Sequence, residues 1–157
     1  MFIQTLLEQP EFAEMLSDHA LETIAYFLDE GIEFGVLCNL SEVTFRNPLP
    51  EEIYNGLKPL TLFMVAGYSF ESAMLRDDLV LCFEAGFGPD NFGTVVEIPV
   101  SAILQLMVSD TVVFVNLTAT LPKRHKKGIQ NIGSESRSFE AIFSNPENEN
   151  LFGKKKK

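Results

Sequence analysis

The chain reads LVLCFEAGFGPDNFGTVVEIPVSAILQLMVSDTVVFVNL over residues 79–117, and this stretch decides the fold. Two β-prone runs, 79–83 and 94–98, flank a glycine-rich segment. Glycines between two such runs are typical of a hairpin connection, because they adopt backbone angles that other residues avoid. The stretch therefore predicts a pair of antiparallel strands.

Pro99 follows the second run at a place where a helix can begin, because its missing N–H costs nothing in a first turn. Val100, Ile103, Leu104 and Met107 then repeat at i, i+3, i+4 and i+7, which predicts a helix. Residues 111–117 are again β-prone and predict a returning strand.

Upstream, a helix is expected to begin at Ser17 or Asp18 and to end at Gly31, and 2–16 predicts a shorter helix interrupted at Pro10. The helix that ends at Gly31 has an apolar stripe broad enough to serve both a core and a partner helix. The stripe consists of Leu21, Ile24, Ala25 and Leu28. Residues 34–40 and 43–45 predict strands, and the nearly all-apolar run 60–66 predicts a strand buried on both faces.

These elements predict an α+β fold with mainly antiparallel strands. We expect one domain over residues 1–118 and a flexible basic tail over 119–157, whose composition is that of a linker. Two apolar islands interrupt the tail, at 139–143 and at Leu151–Phe152. An apolar pair at the end of a polar tail is either a remnant without a role or a short peptide that fits a groove on another protein.

Charge is divided unevenly along the chain. Residues 1–122 contain three basic residues and 18 carboxylates, a net charge of −15, whereas residues 123–157 contain nine basic residues and four carboxylates, a net charge of +5. A body this acidic repels nucleic acid and anionic lipid, so we expect neither as a partner. We expect neutral or basic partners; the alternative is that the charge serves solubility alone.

Cys38 and Cys82 lie in apolar runs and are expected to be buried free thiols of a reducing compartment. The N-terminus lacks a basic segment followed by an apolar one, and no run is long enough to span a membrane. These features predict a cytoplasmic protein.

Residues suited to covalent chemistry do not form a recognisable set. The glycines at 86, 88 and 93 lack the spacing of a phosphate-binding loop, and a hairpin explains them better. Glu84, Asp90 and Glu97 are candidates for an acid–base or metal set, but His19 and His125 have no partner at metal-ligand spacing. We therefore expect no enzyme, no metal and no cofactor.

The order and spacing of several segments resemble the stringent starvation protein B (SspB) family, over about residues 32–116 and at the far end. Residues 60–66 resemble a buried strand of that family, and FEAGFG at 83–88 is similar to its aromatic-x-Ala-Arg-Phe-Gly strand end, with Gly86 in place of arginine. IPVSAIL at 98–104 resembles its Val-Pro-Leu-x-Ala-Val-Leu. LFGKK at 151–155 resembles the ending of some members, Leu-x-x-Phe-Arg-Lys-Lys.

The resemblance implies a small, bent, β-barrel-like domain with an N-terminal helix, which delivers ssrA-tagged polypeptides to the ClpX unfoldase of the ClpXP protease. It also implies a homodimer, often formed through that helix, and the stripe at Leu21, Ile24, Ala25 and Leu28 suits this contact, although core packing alone also explains it. It implies that an unstructured tag binds in a groove between strands and that the C-terminal end docks on ClpX. For the groove it suggests Ala66, Gly67, Tyr68, Phe83, Ala85 and Phe87. For docking it suggests Leu151, Phe152, Lys154 and Lys155.

The sequence is compatible with three other functions. One is a small β-barrel that binds RNA with the basic tail as an electrostatic arm, although the acidic body opposes it. The others are a small-molecule enzyme, which needs convergent carboxylates in a deep pocket, and a structural subunit of a larger complex.

Overall fold

The computed structural model describes residues 2–120, which divide into two compact units. The described part of the first unit is 2–15 and 117–120, and the second unit is Leu16–Asn116. Almost all of the predicted tail, 119–157, lies outside the described residues. The predicted docking residues lie there too: Leu151, Phe152, Lys154 and Lys155.

Helix α2 begins earlier than the sequence predicts. Pro10, expected to interrupt a helix, instead occupies its first turn, where a proline is tolerated, so the predicted start at Ser17 or Asp18 is wrong. Gly31 ends the helix as predicted, with a left-handed φ of 74°. Numbered along the chain, the helices are α1 (Ile3–Leu7), α2 (Pro10–Glu30), α3 (Glu51–Asn55) and α4 (Tyr68–Ser72). None of the helices within residues 2–120 is both long enough and apolar enough to cross a membrane.

The strands form two antiparallel sheets of four strands each. Sheet A has the order β3 (Leu60–Val65), β1 (Phe34–Asn39), β7 (Ile103–Val108), β8 (Thr111–Val115). Sheet B has the order β2 (Thr44–Phe45), β6 (Phe92–Pro99), β5 (Val80–Phe87), β4 (Met74–Leu75). The predicted α+β class with mainly antiparallel strands is confirmed, but over residues 2–120 the two sheets do not close into a barrel.

Two predictions about strands are wrong. The helix expected after Pro99 is only one turn of 3₁₀ helix at Val100–Ala102, and β7 follows it, because 103–108 completes sheet A between β1 and β8. Strand β3 was expected to be buried on both faces, but its residues alternate between buried and exposed positions. Leu62 and Met64 point away from the core because β3 covers it with one face only.

Helix α2 contributes directly to the core of the second unit. The rings of Phe27 in α2 and Phe34 in β1 lie 5.4 Å apart. Ile24, predicted at a dimer contact, has no exposed surface and belongs to the core, so we leave it out of any interface. Leu21 and Leu28 also pack against the core, and Ala25 is half-buried. Contact with the core therefore accounts for most of the broad apolar stripe.

An aromatic cluster joins the two sheets inside the second unit. Phe63 of sheet A lies 6.1–6.3 Å from three rings of sheet B: Phe45, Phe83 and Phe87. Phe45 and Phe87 also meet edge-on at 5.8 Å. Edge-to-face pairs are favourable beyond the area that they bury, so this cluster fixes the spacing of the sheets.

We predict that Phe63→Ala lowers the free energy of unfolding by about 3–5 kcal/mol, because it leaves a cavity among three rings. Leu62→Ala, at the neighbouring exposed position, is the matched control and is expected to cost less than about 1 kcal/mol. Urea denaturation followed by circular dichroism measures both. Equal losses in the two variants would contradict the observed alternation of β3.

Candidate functional site

A cleft opens where the end of β3 faces the hairpin of β5 and β6. Its volume is about 710 Å³, within the usual range of roughly 300–1,000 Å³ for ligand pockets. The residues that line it are Arg46, Asn47, Ala66, Tyr68, Ser69, Glu84, Ala85, Gly86, Asn91, Gly93, Thr94 and Val95.

The first wall is the turn between β3 and α4. Gly67 adopts a left-handed φ of 58°, which favours glycine at this position. Its N–H donates a hydrogen bond of 2.8 Å to Oε2 of Glu33. This bond holds the turn, so that Ala66 and Tyr68 on either side of Gly67 face the cleft.

Helix α4 is hydrogen-bonded to Glu84 of β5. Its N–H donates to Oγ of Ser72 at 2.9 Å, and its carbonyl oxygen accepts from Oγ of Ser69 at 2.7 Å. Its carboxylate accepts a hydrogen bond of 2.9 Å from the hydroxyl of Tyr68, and this bond raises the pKa of Tyr68. Both backbone groups of Glu84 are therefore occupied by serines of α4.

Beyond Glu84, strand β5 has an open edge. In an antiparallel ladder the backbone groups of alternate residues point to the same side, so those of Gly86 point the same way as those of Glu84. Strand β4 pairs with β5 only at Leu81 and Cys82, and the serines serve Glu84. Among residues 2–120, the structure shows no strand alongside Gly86 on this side, and the open edge faces the cleft.

The side chain of Asn91 lies over Gly86. A Cβ atom built on Gly86 would lie 1.8 Å from Oδ1 of Asn91, so any other residue here displaces the Asn91 side chain. Asn91 itself sits in the hairpin turn with a φ of 53°, and its N–H donates to the carbonyl of Gly88. Gly86 itself has no side chain, and the Asn91 amide occupies the place that a Cβ atom would take.

Arg46 supplies the positive charge at the opposite rim. Its Nη2 lies 2.5 Å from Oε2 of Glu97, which also accepts from Arg76 at 2.9 Å. The hydrogen bond from Arg46 is the largest of the effects that lower the pKa of Glu97. Arg76 is held in turn by Asp78 at 2.7 Å. Glu97 thus positions Arg46 beside the cleft and neutralises part of its charge.

The structure brings three of the six predicted groove residues into the lining: Ala66, Tyr68 and Ala85. Gly67 forms the turn without lining the cleft. Phe83 is 1 % exposed, Phe87 is half-buried, and both belong to the aromatic cluster. Neither ring lines the cleft. We therefore leave Phe83 out of the binding surface, since a buried ring cannot touch a ligand.

Sequence reasoning missed the far wall of the cleft. The hairpin register pairs Ala85 with Thr94 and Gly86 with Gly93. Gly93 and Thr94 could therefore have been predicted from that register. Arg46 and Asn47 come from a distant part of the chain, and only the pairing of β2 with β6 brings them here.

The candidate acid–base carboxylates at 84, 90 and 97 do not converge on one site. Glu84 bonds Tyr68, Glu97 bonds two arginines, and Asp90 is exposed in the hairpin turn. Within residues 2–120, no group of three or more His, Cys, Asp or Glu side chains is placed to hold a metal ion. His19 instead contacts the ring of Phe114 at 5.4 Å.

Comparison with protein-family models, with curated proteins and with solved structures finds no match to this chain. The resemblance drawn from the sequence motifs therefore stays a prediction. The geometry of the cleft is what bears on function.

We predict that Glu97→Gln lowers stability at pH 7 by roughly 1 kcal/mol or less, because Arg46 is largely exposed. The pKa of Glu97 is below its ordinary value of 4.5, so its contribution is present above that pH and is lost as the pH falls through the lowered value. Urea denaturation at pH 7 and pH 3 measures the difference from the native chain.

The control is Glu22→Gln on α2. Glu22 is exposed, and within residues 2–120 the structure shows no ion pair for it. This variant should show little change at either pH. A gap between Glu97→Gln and the native chain that widens in acid would contradict the assigned role of Glu97.

Proposed function

We propose that this protein is a peptide-binding adaptor of the SspB type, which binds ssrA-type degradation tags and tethers the tagged polypeptides to ClpX for proteolysis. The observation that carries the proposal is the open edge of β5 at Gly86, which lies inside a cleft. The two buried free cysteines, Cys38 and Cys82, fit a protein that works in the reducing cytoplasm.

Backbone pairing is the first element of recognition. An extended peptide laid along β5 finds the N–H and C=O of Gly86 aimed at it, and such strand addition gives affinity without demanding a particular sequence. Ala66 and Ala85 have small side chains, so a peptide backbone can approach both walls. A floppy substrate terminus has the extended form that this site requires.

Side-chain contact is the second element. Tyr68 is 64 % exposed at the mouth of the cleft and is held in place by Glu84. An aromatic ring that becomes buried on binding contributes about 1.5–3 kcal/mol. Tyr68 is thus the side chain best placed to anchor a residue of the tag.

Charge is the third element. Glu84 presents a carboxylate in the cleft, while the ion pair with Glu97 neutralises part of the positive charge of Arg46. Together with the acidic body, this arrangement favours a tag that is neutral or carries lysine over a strongly acidic one.

The tail supplies the tether in this proposal. The folded part of the chain reaches Thr120, so residues 121–150 separate it from Leu151–Phe152, and a flexible coil of that length spans roughly 30 Å. Linkers of this kind give effective concentrations of order millimolar. Two weak contacts, one with the tag and one with ClpX, can therefore hold a substrate at the unfoldase.

We predict that Tyr68→Ala weakens binding of an ssrA-type tag peptide by about 10- to 100-fold, the affinity equivalent of one buried ring. Fluorescence anisotropy with a labelled peptide measures the dissociation constant. Tyr26→Ala removes a ring of similar exposure, 58 %, from α2, where it does not line the cleft. It should bind as the native chain does, and equal weakening in both variants would count against the cleft.

We predict that removing residues 149–157 abolishes degradation of a tagged substrate by ClpXP and leaves tag binding unchanged. The double variant Leu151→Ala, Phe152→Ala should reproduce the loss, since an apolar pair is the expected docking element. Lys154→Ala with Lys155→Ala separates the role of charge. Loss of tag binding in the shortened chain would show that the two functions are not carried by separate parts.

A further inference from the structure

Asn91 is a polar side chain of the cleft that the protein does not use for its own hydrogen bonds. Within residues 2–120, the structure shows no hydrogen bond for its amide, whereas each of the other polar side chains that line the cleft has a partner. Those side chains are Arg46, Asn47, Tyr68, Ser69, Glu84 and Thr94. A side-chain amide has two donors and an acceptor, so this part of the cleft can still bind a polar ligand.

The amide of Asn91 lies beside the open edge of β5. It covers the outer side of Gly86, since a Cβ atom built there would lie 1.8 Å from Oδ1 and 3.1 Å from Nδ2 of Asn91. The backbone N–H and C=O of Gly86 are the groups that we propose pair with the peptide. A strand that pairs with β5 lies about 4.8 Å away, so its main chain passes within reach of this amide.

Gly93 leaves space for a ligand next to the amide. It pairs with Gly86 across the hairpin and also lines the cleft. A Cβ atom built on Gly93 would meet no atom within 4 Å, and its φ is outside the left-handed region, so neither packing nor backbone conformation requires a glycine there. A glycine inside a strand weakens that strand, and it often marks a place where a ligand or another backbone approaches closely.

The hairpin turn does not require an amide at position 91. The φ of 53° is left-handed, which asparagine tolerates and glycine adopts without strain. The bond that closes the turn runs from the N–H of Asn91 to the carbonyl oxygen of Gly88, and both groups belong to the main chain. The amide is therefore available for a contact outside the turn.

We infer, on the basis of the proposed function, that the side-chain amide of Asn91 hydrogen-bonds the main chain of the bound peptide next to the pairing at Gly86. A carboxamide has the donor and acceptor groups of a peptide bond, so it can donate to a carbonyl oxygen of an extended chain and accept from its N–H. Such a contact does not depend on the side chains of the ligand. Asn91 therefore adds affinity for an extended chain, and Tyr68 supplies the contact with a tag side chain.

Fluorescence anisotropy with an ssrA-type tag peptide tests this contact in the full chain. Asn91→Gly removes the amide and keeps the left-handed backbone, so it should weaken binding by about 10-fold, the equivalent of one or two neutral hydrogen bonds. Asn91→Asp keeps the shape of the side chain but loses its donors, and it should weaken binding at least as much. Its binding is measured at about 0.5 M salt, so that the added charge is screened.

A set of tag peptides, each with one residue replaced by alanine, shows which part of the ligand the amide contacts. Because the contact is with the main chain, the loss caused by Asn91→Gly should be the same for every peptide within about two-fold. A loss that disappears with one of these peptides would show that the amide contacts a side chain instead, and would overturn the inference.

The matched control is Ser109→Gly. Ser109 has a φ of 49° in the turn between β7 and β8 and does not line the cleft, so this variant should bind as the native chain does. Urea denaturation followed by circular dichroism should give the same midpoint for Asn91→Gly and the native chain. A lowered midpoint with native affinity would assign the amide to the stability of the hairpin and would overturn the inference.

Two further results separate this contact from the proposed function. Native affinity in Asn91→Gly, or an equal loss in Ser109→Gly, would overturn the role of Asn91 while the adaptor function still stands. A native chain that binds none of the tag peptides would overturn the adaptor function and the role of Asn91 together.

Discussion

The contact of Phe63 with three rings of sheet B is the constraint on which the second unit depends. Phe63 stands on β3, and its partners include Phe83 and Phe87 of β5. Because one wall of the cleft begins at Ala66, directly after β3, and another lies on β5, the packing that stabilises the core also sets the width of the site. The predicted groove residues thus divide by physical role. The buried rings of β5 fix the spacing, and the small residues at 66 and 85 leave room for a ligand.

Local hydrogen bonds hold the residues of the site in fixed positions. Glu84 bonds Tyr68 through its carboxylate and two serines of α4 through its backbone, so this part of the β5 edge is closed by the protein itself. The next outward-facing position, Gly86, is left for a ligand. The polar groups nearest the cleft therefore act as supports. This arrangement suits recognition of a peptide backbone, which needs a fixed edge more than it needs a reactive group.

The strands and the hairpin followed from composition, because β-branched runs around glycines leave few alternatives. The helix predicted after Pro99 is wrong: Val100, Ile103, Leu104 and Met107 fit helical spacing, but 103–108 forms the strand between β1 and β8. The exposed face of β3 was missed because an all-apolar run hides the alternation. Ala66, Tyr68 and Ala85 were reached through the resemblance, whereas Arg46 depends on the pairing of β2 with β6, which no local pattern reveals.

The central claim is that an extended peptide pairs with the open edge of β5 inside the cleft. Nuclear magnetic resonance of the isotope-labelled full chain, titrated with an ssrA-type tag peptide, tests it most directly. The account predicts that the amides of Gly86, Ala66 and Tyr68 shift together and that the Gly86 amide becomes protected from hydrogen exchange. Saturable binding that leaves the Gly86 amide unshifted and unprotected would contradict it.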